Sequence, residues 1–306
     1  MKSSKIGLCA LCLLMIGGVQ AESAEALYDR GVEHAAQGRL QEAGDAFAQA
    51  LQADPHDFSS ATALEIVEDA TSGEIREATA VHLFKAFVVG NEGDWDQAMA
   101  EADEAVAGDP GYGKAWSSRG NIHALQERHE QAIADYSKAI ELDPQDAEPY
   151  QSRAAMHTLT GNYDPAIADF TRALERNPKF AMSWFDRGVV YANSKKDYDR
   201  ALSDFDEALK IDPAFEEVYL NRGLIHAYVK HDYARAVADF DKVLEINPEL
   251  VAVHLNKANV YEQTGRMEEA INAYEAYIEL APPEEAATVE EARQRIDVLK
   301  NQGSTE

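Results

Sequence analysis

Proline returns along this chain at a fixed beat. It follows Asp or Asn at Pro55, Pro110, Pro144, Pro178, Pro213 and Pro248, and Pro282 closes the series. The intervals are 55, 34, 34, 35, 35 and 34 residues. Such a period confines the chain to an array of small helical units. A single unit cannot bury its own apolar face, and stacking on neighbours buries it.

The columns behind the period say how each unit is built. Twelve residues before each Pro stands Ala: Ala43, Ala98, Ala132, Ala166, Ala201, Ala236 and Ala270. Eight before it stands an aromatic in six of seven cases, Phe47, Tyr136, Phe170, Phe205, Phe240 and Tyr274, with Ala102 the exception. Upstream lies a small-residue column: Gly31, Ala86, Gly120, Ala154, Gly188, Gly223 and Ala258. Four residues before that column are the bulky groups Leu27, His82, Trp116, Tyr150, Trp184, Tyr219 and His254. Two antiparallel helices approach closely where both present Gly or Ala. The aromatics beside that contact supply most of the buried area. Gly38, Gly93, Gly161 and Gly265 fall where the first helix should end in a left-handed residue. The residue before each Pro avoids the helical region and ends the second helix.

These columns together resemble the tetratricopeptide repeat (TPR) family, over residues 24–284. The repeats fall at 24–57, 79–112, 113–146, 147–180, 181–215, 216–250 and 251–284. The second is the least regular, with Ala102 and His82 in columns that favour large apolar groups. The fifth and sixth carry one extra residue in the turn between helices, around Asn193–Asp197 and Val229–Asp232. The resemblance implies an all-α fold, a right-handed superhelical solenoid of seven helix-turn-helix repeats. Two segments fall outside the period. Residues 58–78 should add an extra helix, opened by a capping box of Thr62 and Glu65 and closed at Gly73, with the next helix starting near Glu74. Beyond the Pro282-Pro283 pair, Val289, Ala292, Ile296 and Leu299 share one helical face, so residues 284–306 are expected to form a capping helix and tail.

The first 21 residues do not fit the array. Lys2 and Lys5 precede an uncharged apolar run from Ile6 to Val19, and Val19-Gln20-Ala21 offers small groups where a signal peptidase reads. This predicts a cleavable secretory signal over residues 1–21 and a periplasmic or secreted location, with no membrane attachment after cleavage. Leu8 and Leu11 stand before Cys9 and Cys12, where a lipoprotein leader needs a small residue. Both cysteines leave with the leader, so the mature chain needs no disulfide. Removing Lys2 and Lys5 takes the formal charge from −27 to −29. From Leu40 to Gly113 there are 16 acids against Arg76 and Lys85. Nucleic acid and anionic lipid are disfavoured partners, because both select basic surfaces. A basic protein partner suits such a charge.

No nucleophile elbow, phosphate-binding loop, zinc-protease motif or calcium loop is present. The sequence therefore predicts a non-enzymatic chain with no cofactor and no metal. His34, His123, His157 and His226 share one column, and successive helices about 10 Å apart would spread them into a ladder. Another column is basic throughout: Arg30, Lys85, Arg119, Arg153, Arg187, Arg222 and Lys257. Nine residues before the Pro stand the acids Glu101, Asp135, Asp169, Asp204 and Asp239. Each base should reach the acid of its own repeat and fix the register of the two helices. The Arg-Gly plus Asp-aromatic version resembles a common bacterial TPR subtype.

The resemblance also implies that certain first-helix columns line a concave ligand groove. One reads Asp29, Phe84, Ser118, Ser152, Asp186, Asn221 and Asn256. Short polar groups in such a column can hydrogen-bond the backbone of an extended peptide. Three residues later come Val32, Phe87, Asn121, Ala155, Val189, Leu224 and Asn259. The candidate peptide-binding residues are Asn121, Asn221, Asn256 and Asn259, with Phe84, Phe87, Phe185 and Leu224 as apolar companions. The family's clamp for acidic C-termini is matched by Lys114 and Asn121, whereas Ser117, Ser152, Met182 and Asp186 depart from it. The expected function is a protein-interaction scaffold or adaptor of the cell envelope, holding a protein or peptide segment. The alternative is a periplasmic structural protein that self-associates.

Overall fold

The computed structural model describes residues 22–55 and 57–302, so the leader read at residues 1–21 lies outside the described residues. Every regular element among them is helical. They belong to two compact units, Met1–Arg128 and His129–Glu306.

The first unit holds α1 (Ala24–Ala36), α2 (Leu40–Ala53), α3 (Phe58–Ser72), α4 (Glu77–Asn91), α5 (Trp95–Gly108) and α6 (Gly113–Leu125). Helices α1 and α2 pair as a hairpin, as do α4 and α5, and α3 packs on α2 and α4. Phe47 of α2 is fully buried and stacks on Phe84 of α4, ring centroids 5.7 Å apart. Val32, Val67 and Ile75 close the same core.

The added helix α3 begins four residues before the expected capping box. Its cap is Asp57, whose carboxylate accepts from the Ser59 amide at 3.0 Å and also holds the Ser60 hydroxyl. That carboxylate satisfies an amide which the helix itself leaves unpaired. Gly73 ends α3 at φ 84°. Helix α4 then starts at Glu77, not near Glu74. Its first turn is organised from a distance: Asp109, of the Asp-Pro pair after α5, accepts from the Arg76 amide at 2.9 Å and from the Thr79 hydroxyl at 2.5 Å.

The second unit holds α7 (His129–Leu142), α8 (Glu148–Leu159), α9 (Tyr163–Arg176), α10 (Ala181–Val190), α11 (Tyr198–Ile211), α12 (Glu216–Tyr228), α13 (Tyr233–Ile246), α14 (Ala252–Gln263), α15 (Met267–Leu280) and α16 (Ala286–Gln302). Consecutive hairpins α8/α9, α10/α11, α12/α13 and α14/α15 stack, each also packing on the next. The small column meets the aromatic column as the spacing predicts. A Cβ on Gly188 would lie 2.7 Å from the Phe205 ring, and one on Gly223 2.8 Å from Phe240. Phe170, Phe205 and Phe240 are all buried. On α16, Ala292, Ile296 and Leu299 are buried in one cluster with Tyr274 and Tyr277, and Val289 packs beside them.

The turns explain how the array tolerates uneven repeats. Gly38, Gly93, Gly161 and Gly265 take positive φ, 71–86°, where the first helix ends. In the repeats without that glycine, Glu127, Lys196 and His231 take φ 59°, 55° and 53°. The extra residue of the fifth repeat is absorbed as a single π turn, Tyr191–Lys195, before Lys196.

Candidate functional site: the first-helix face

In the first helices of the second unit the small residue, Ala154, Gly188, Gly223 or Ala258, faces its own second helix. A residue two positions upstream is rotated about 160° from it at roughly 100° per residue, and so points away from the hairpin interior. In the second unit that rule places Ser152 (α8), Asp186 (α10), Asn221 (α12) and Asn256 (α14) on one outward face, all half-buried. Three residues on, Ala155, Val189 and Leu224 are half-buried and Asn259 is exposed. Neighbouring first helices are tied along this face. Gln151 of α8 hydrogen-bonds Asp186 of α10, and the Tyr228 hydroxyl of α12 donates to Asn256 Oδ1 of α14 at 3.4 Å.

The amides are not idle. Asn221 Nδ2 donates to the Glu217 carbonyl of its own helix at 2.8 Å, which leaves Oδ1 to accept. Asn256 is engaged through Oδ1, which leaves its Nδ2 to donate. Asn259 accepts from the Tyr274 hydroxyl at 3.3 Å. The stripe thus offers an acceptor and a donor on adjacent helices, which is the pattern a peptide backbone presents in return.

The aromatic companions divide. Phe84 is 5 % exposed and belongs to the core of the first unit, so its place in the binding column is corrected to packing. The cause is that α4 lies directly against α1 there, which turns this column onto Phe47. Phe185 is half-buried against Phe205 and Phe215, with ring centroids 5.9 and 5.1 Å away. Leu224 packs with the cluster around Phe240 and keeps part of its surface open. Phe87 is 45 % exposed and touches Tyr28 edge-on. Asn121 is exposed on α6 of the first unit.

Charge on the stripe is unbalanced. Taken with the residues four before and three after each stripe position, the face on α8, α10, α12 and α14 carries Glu148, Asp186 and Glu217, and no Lys or Arg. Burial pushes the Asp186 carboxyl up to about 6, against the hydrogen bond from Gln151 that lowers it. Several of the most deeply buried carboxylates have a cation beside them. Asp169 is held by Arg153, Asp204 by Arg187, Asp239 by Arg222 and Glu262 by Arg295.

Those pairs fix the helices that carry the stripe. Arg153 grips Asp169 with Nε and Nη2 at 2.7 and 2.9 Å, and Arg187 grips Asp204 at 2.8 and 2.8 Å. Arg222 does the same to Asp239 at 3.0 and 2.6 Å. The second repeat differs: Glu101 is met by His82 Nδ1 at 2.6 Å, not by Lys85. Sequence reasoning missed a further partner. The remaining nitrogen of each Arg reaches back to the preceding repeat, Arg153 to Ser137 and Arg187 to Thr171 at 2.9 Å, and Arg222 to Asp206 at 2.6 Å. Lys257 and Arg119 likewise reach Asp241 and Asp103. These partners stand seven residues before each Pro, a polar column that the spacing already displayed. The same Arg residues lie over Trp116, Trp184 and Tyr219, at 4.8, 4.9 and 5.4 Å from the rings. Trp116 and Trp184 donate their indole N–H to the carbonyls of Pro110 and Pro178, so each repeat start is fastened to the turn before it.

The histidine column is packing in character in the second unit. His226 is buried and His157 half-buried, and burial lowers the pKa of both. Among the described residues no three His, Cys, Asp or Glu side chains gather as a metal set. No helix among them is long and apolar enough to cross a membrane. A cleft of about 420 Å³ opens between α14, α15 and α16, lined by Asn259, Tyr274, Thr288 and Arg295 among others. Glu262 in its wall is already bound by Arg295 and by the Tyr274 hydroxyl.

Repeated helical hairpins on one sequence register, locked in three repeats by Arg–Asp pairs, define a helical-repeat protein. Four family models described as tetratricopeptide repeat match residues 24–57, 113–146, 160–214 and 230–296. The chain belongs to the tetratricopeptide repeat family, whose members are protein-interaction scaffolds. A search of curated proteins returned no relative of significant similarity. Among solved structures, pilF of Pseudomonas aeruginosa is similar at 16% identity and a TM-score of 0.61, over 72% of this chain and 98% of that one. A chain of the APC/C hetero-tetramer Cut9-Hcn1 is similar at 20% identity and 0.57, over 90% of this chain and 57% of that one. MamA protein is similar at 24% identity and 0.50, over 56% and 93%. At these identities the likeness is one of fold.

Proposed function

We propose that this chain is a non-enzymatic adaptor, exported to the periplasm, that holds an extended segment of a partner protein against the first-helix face of its second unit. The observation that carries the reading is the stripe Ser152, Asp186, Asn221 and Asn256. Its members are short, polar and half-exposed, and they stand on successive first helices, three of them locked by Arg–Asp pairs and α14 by Lys257–Asp241. The leader sequence Met1–Ala21 supports export. The acidic balance supports a partner with basic character.

The test removes the two amides together. Each lost hydrogen bond to a buried partner group is worth about 1–3 kcal/mol. Asn221→Ala with Asn256→Ala should therefore weaken partner recovery, after cross-linking in intact cells, by about tenfold or more, with helical circular dichroism unchanged. Full recovery by the double variant would move binding away from this face.

A further inference from the structure

One acid on this face has no cation beside it, unlike the buried acids Asp169, Asp204 and Asp239 of the hairpin interiors. Asp186 sits half-buried in the middle of the stripe, and its polar neighbour is the neutral Gln151 of the adjacent helix. Ser152, Asn221 and Asn256 hold the same position in the adjoining repeats and carry no charge. A carboxylate drawn partly out of water without a cation is unfavourable unless something completes it. Its raised affinity for a proton reports that incompleteness. On the same first helices Met182 is 43 %, Tyr228 49 % and Leu159 67 % exposed, with Glu148 on α8 and Glu217 on α12.

We infer that Asp186 is a selectivity residue, which receives a single Lys or Arg side chain of an extended partner segment while Met182, Leu159 and Tyr228 take apolar residues on either side of it. The inference rests on the peptide-holding role proposed above and names the chemistry of the segment. Spacing agrees with it. Neighbouring helices lie about 8–10 Å apart, and an extended chain advances about 3.3 Å per residue. Successive stripes therefore meet every third residue of the segment. One stripe position is charged and the others are neutral, so the motif contains one required base, not a basic run. Charge complementarity decides the occupant, because an acidic tail or a nucleic acid would meet Glu148, Asp186 and Glu217 with like charge.

The experiment screens an unbiased twelve-residue peptide library against the purified chain. It then measures the best binder in three forms: with its central base, with norleucine there, and with Glu there. The expected result is enrichment of one Lys or Arg between apolar residues. Replacement by norleucine should cost tenfold or more on the native chain and nothing on Asp186→Asn, while Asp186→Lys should reverse the preference towards Glu. Glu141→Gln, on an exposed second-helix surface, should leave the preference intact. Binders sensitive to Asn221→Ala with Asn256→Ala, yet indifferent to the base and to Asp186, would overturn this inference and leave the adaptor role standing. Binders insensitive to both sets of variants, or no binders, would remove the face and this inference with it.

Discussion

Asp186 is held in the fold at a cost in stability. Its carboxyl is raised from 3.8 to about 6 in the fold, chiefly by burial. Between those values the folded chain keeps a proton that the unfolded chain has released. Stability therefore falls as pH rises through this window and is unaffected by the group below it. Asp186→Asn should stabilise the chain at pH 7 by roughly 1–3 kcal/mol, with the gain gone by pH 4. Denaturant melts at the two pH values check it, and an equal effect at both would show that the carboxylate is well solvated. The Arg153–Asp169 pair acts in the opposite sense. Its side chains are 15 % and 5 % exposed and the contact is bidentate. A double-mutant cycle should give a coupling of about 1–3 kcal/mol, and Ser137→Ala alone should cost about 0.5–1.5 kcal/mol. Zero coupling for the first pair would contradict the register of α8 on α9.

At the scale of the element, the hairpin depends on how closely its two helices approach. Gly188 lets the Phe205 ring lie where a Cβ would stand, and the Ala201 carbonyl is 3.3 Å from the same point. Gly188→Ala should cost about 1–3 kcal/mol by overpacking, partly offset by better helix propensity. Thermal melts would read the loss. A neutral result would mean that α10 and α11 can separate without penalty. The alanines at the equivalent positions Ala154 and Ala258 are buried against the same kind of partner. The column thus specifies small size.

At the scale of the whole molecule, a repeat array must end its apolar surface somewhere. In the second unit α16 does so by covering the fully buried Tyr277 and its neighbour Tyr274. Deleting residues 286–302 should lower both solubility and Tm, by about 2–4 °C for each kcal/mol lost. An unchanged Tm would show that α15 tolerates exposure. Helix α16 also anchors polar contacts, Arg295 to Glu262 and Lys300 to Glu275. The truncated chain should accordingly lose more than apolar burial alone.

The sequence by itself determined the all-helical repeat, the columns that pack it and the Arg–Asp pairs of three repeats. All of these rest on residues at fixed spacing, within one hairpin, where the helical period dictates which side chains meet. The column Ser152, Asp186, Asn221 and Asn256 was singled out by the resemblance to the repeat family, and helix geometry turns it away from the hairpin interior. What only the tertiary structure decided depends on contacts between hairpins. Phe84 entered the core because α4 lies against α1 beside the added helix. Asp109 capped α4 from 33 residues away in sequence. Each Arg found a second partner in the preceding repeat. Asp186 proved uncompensated only once its surroundings were assembled, because desolvation is a property of everything packed around a group.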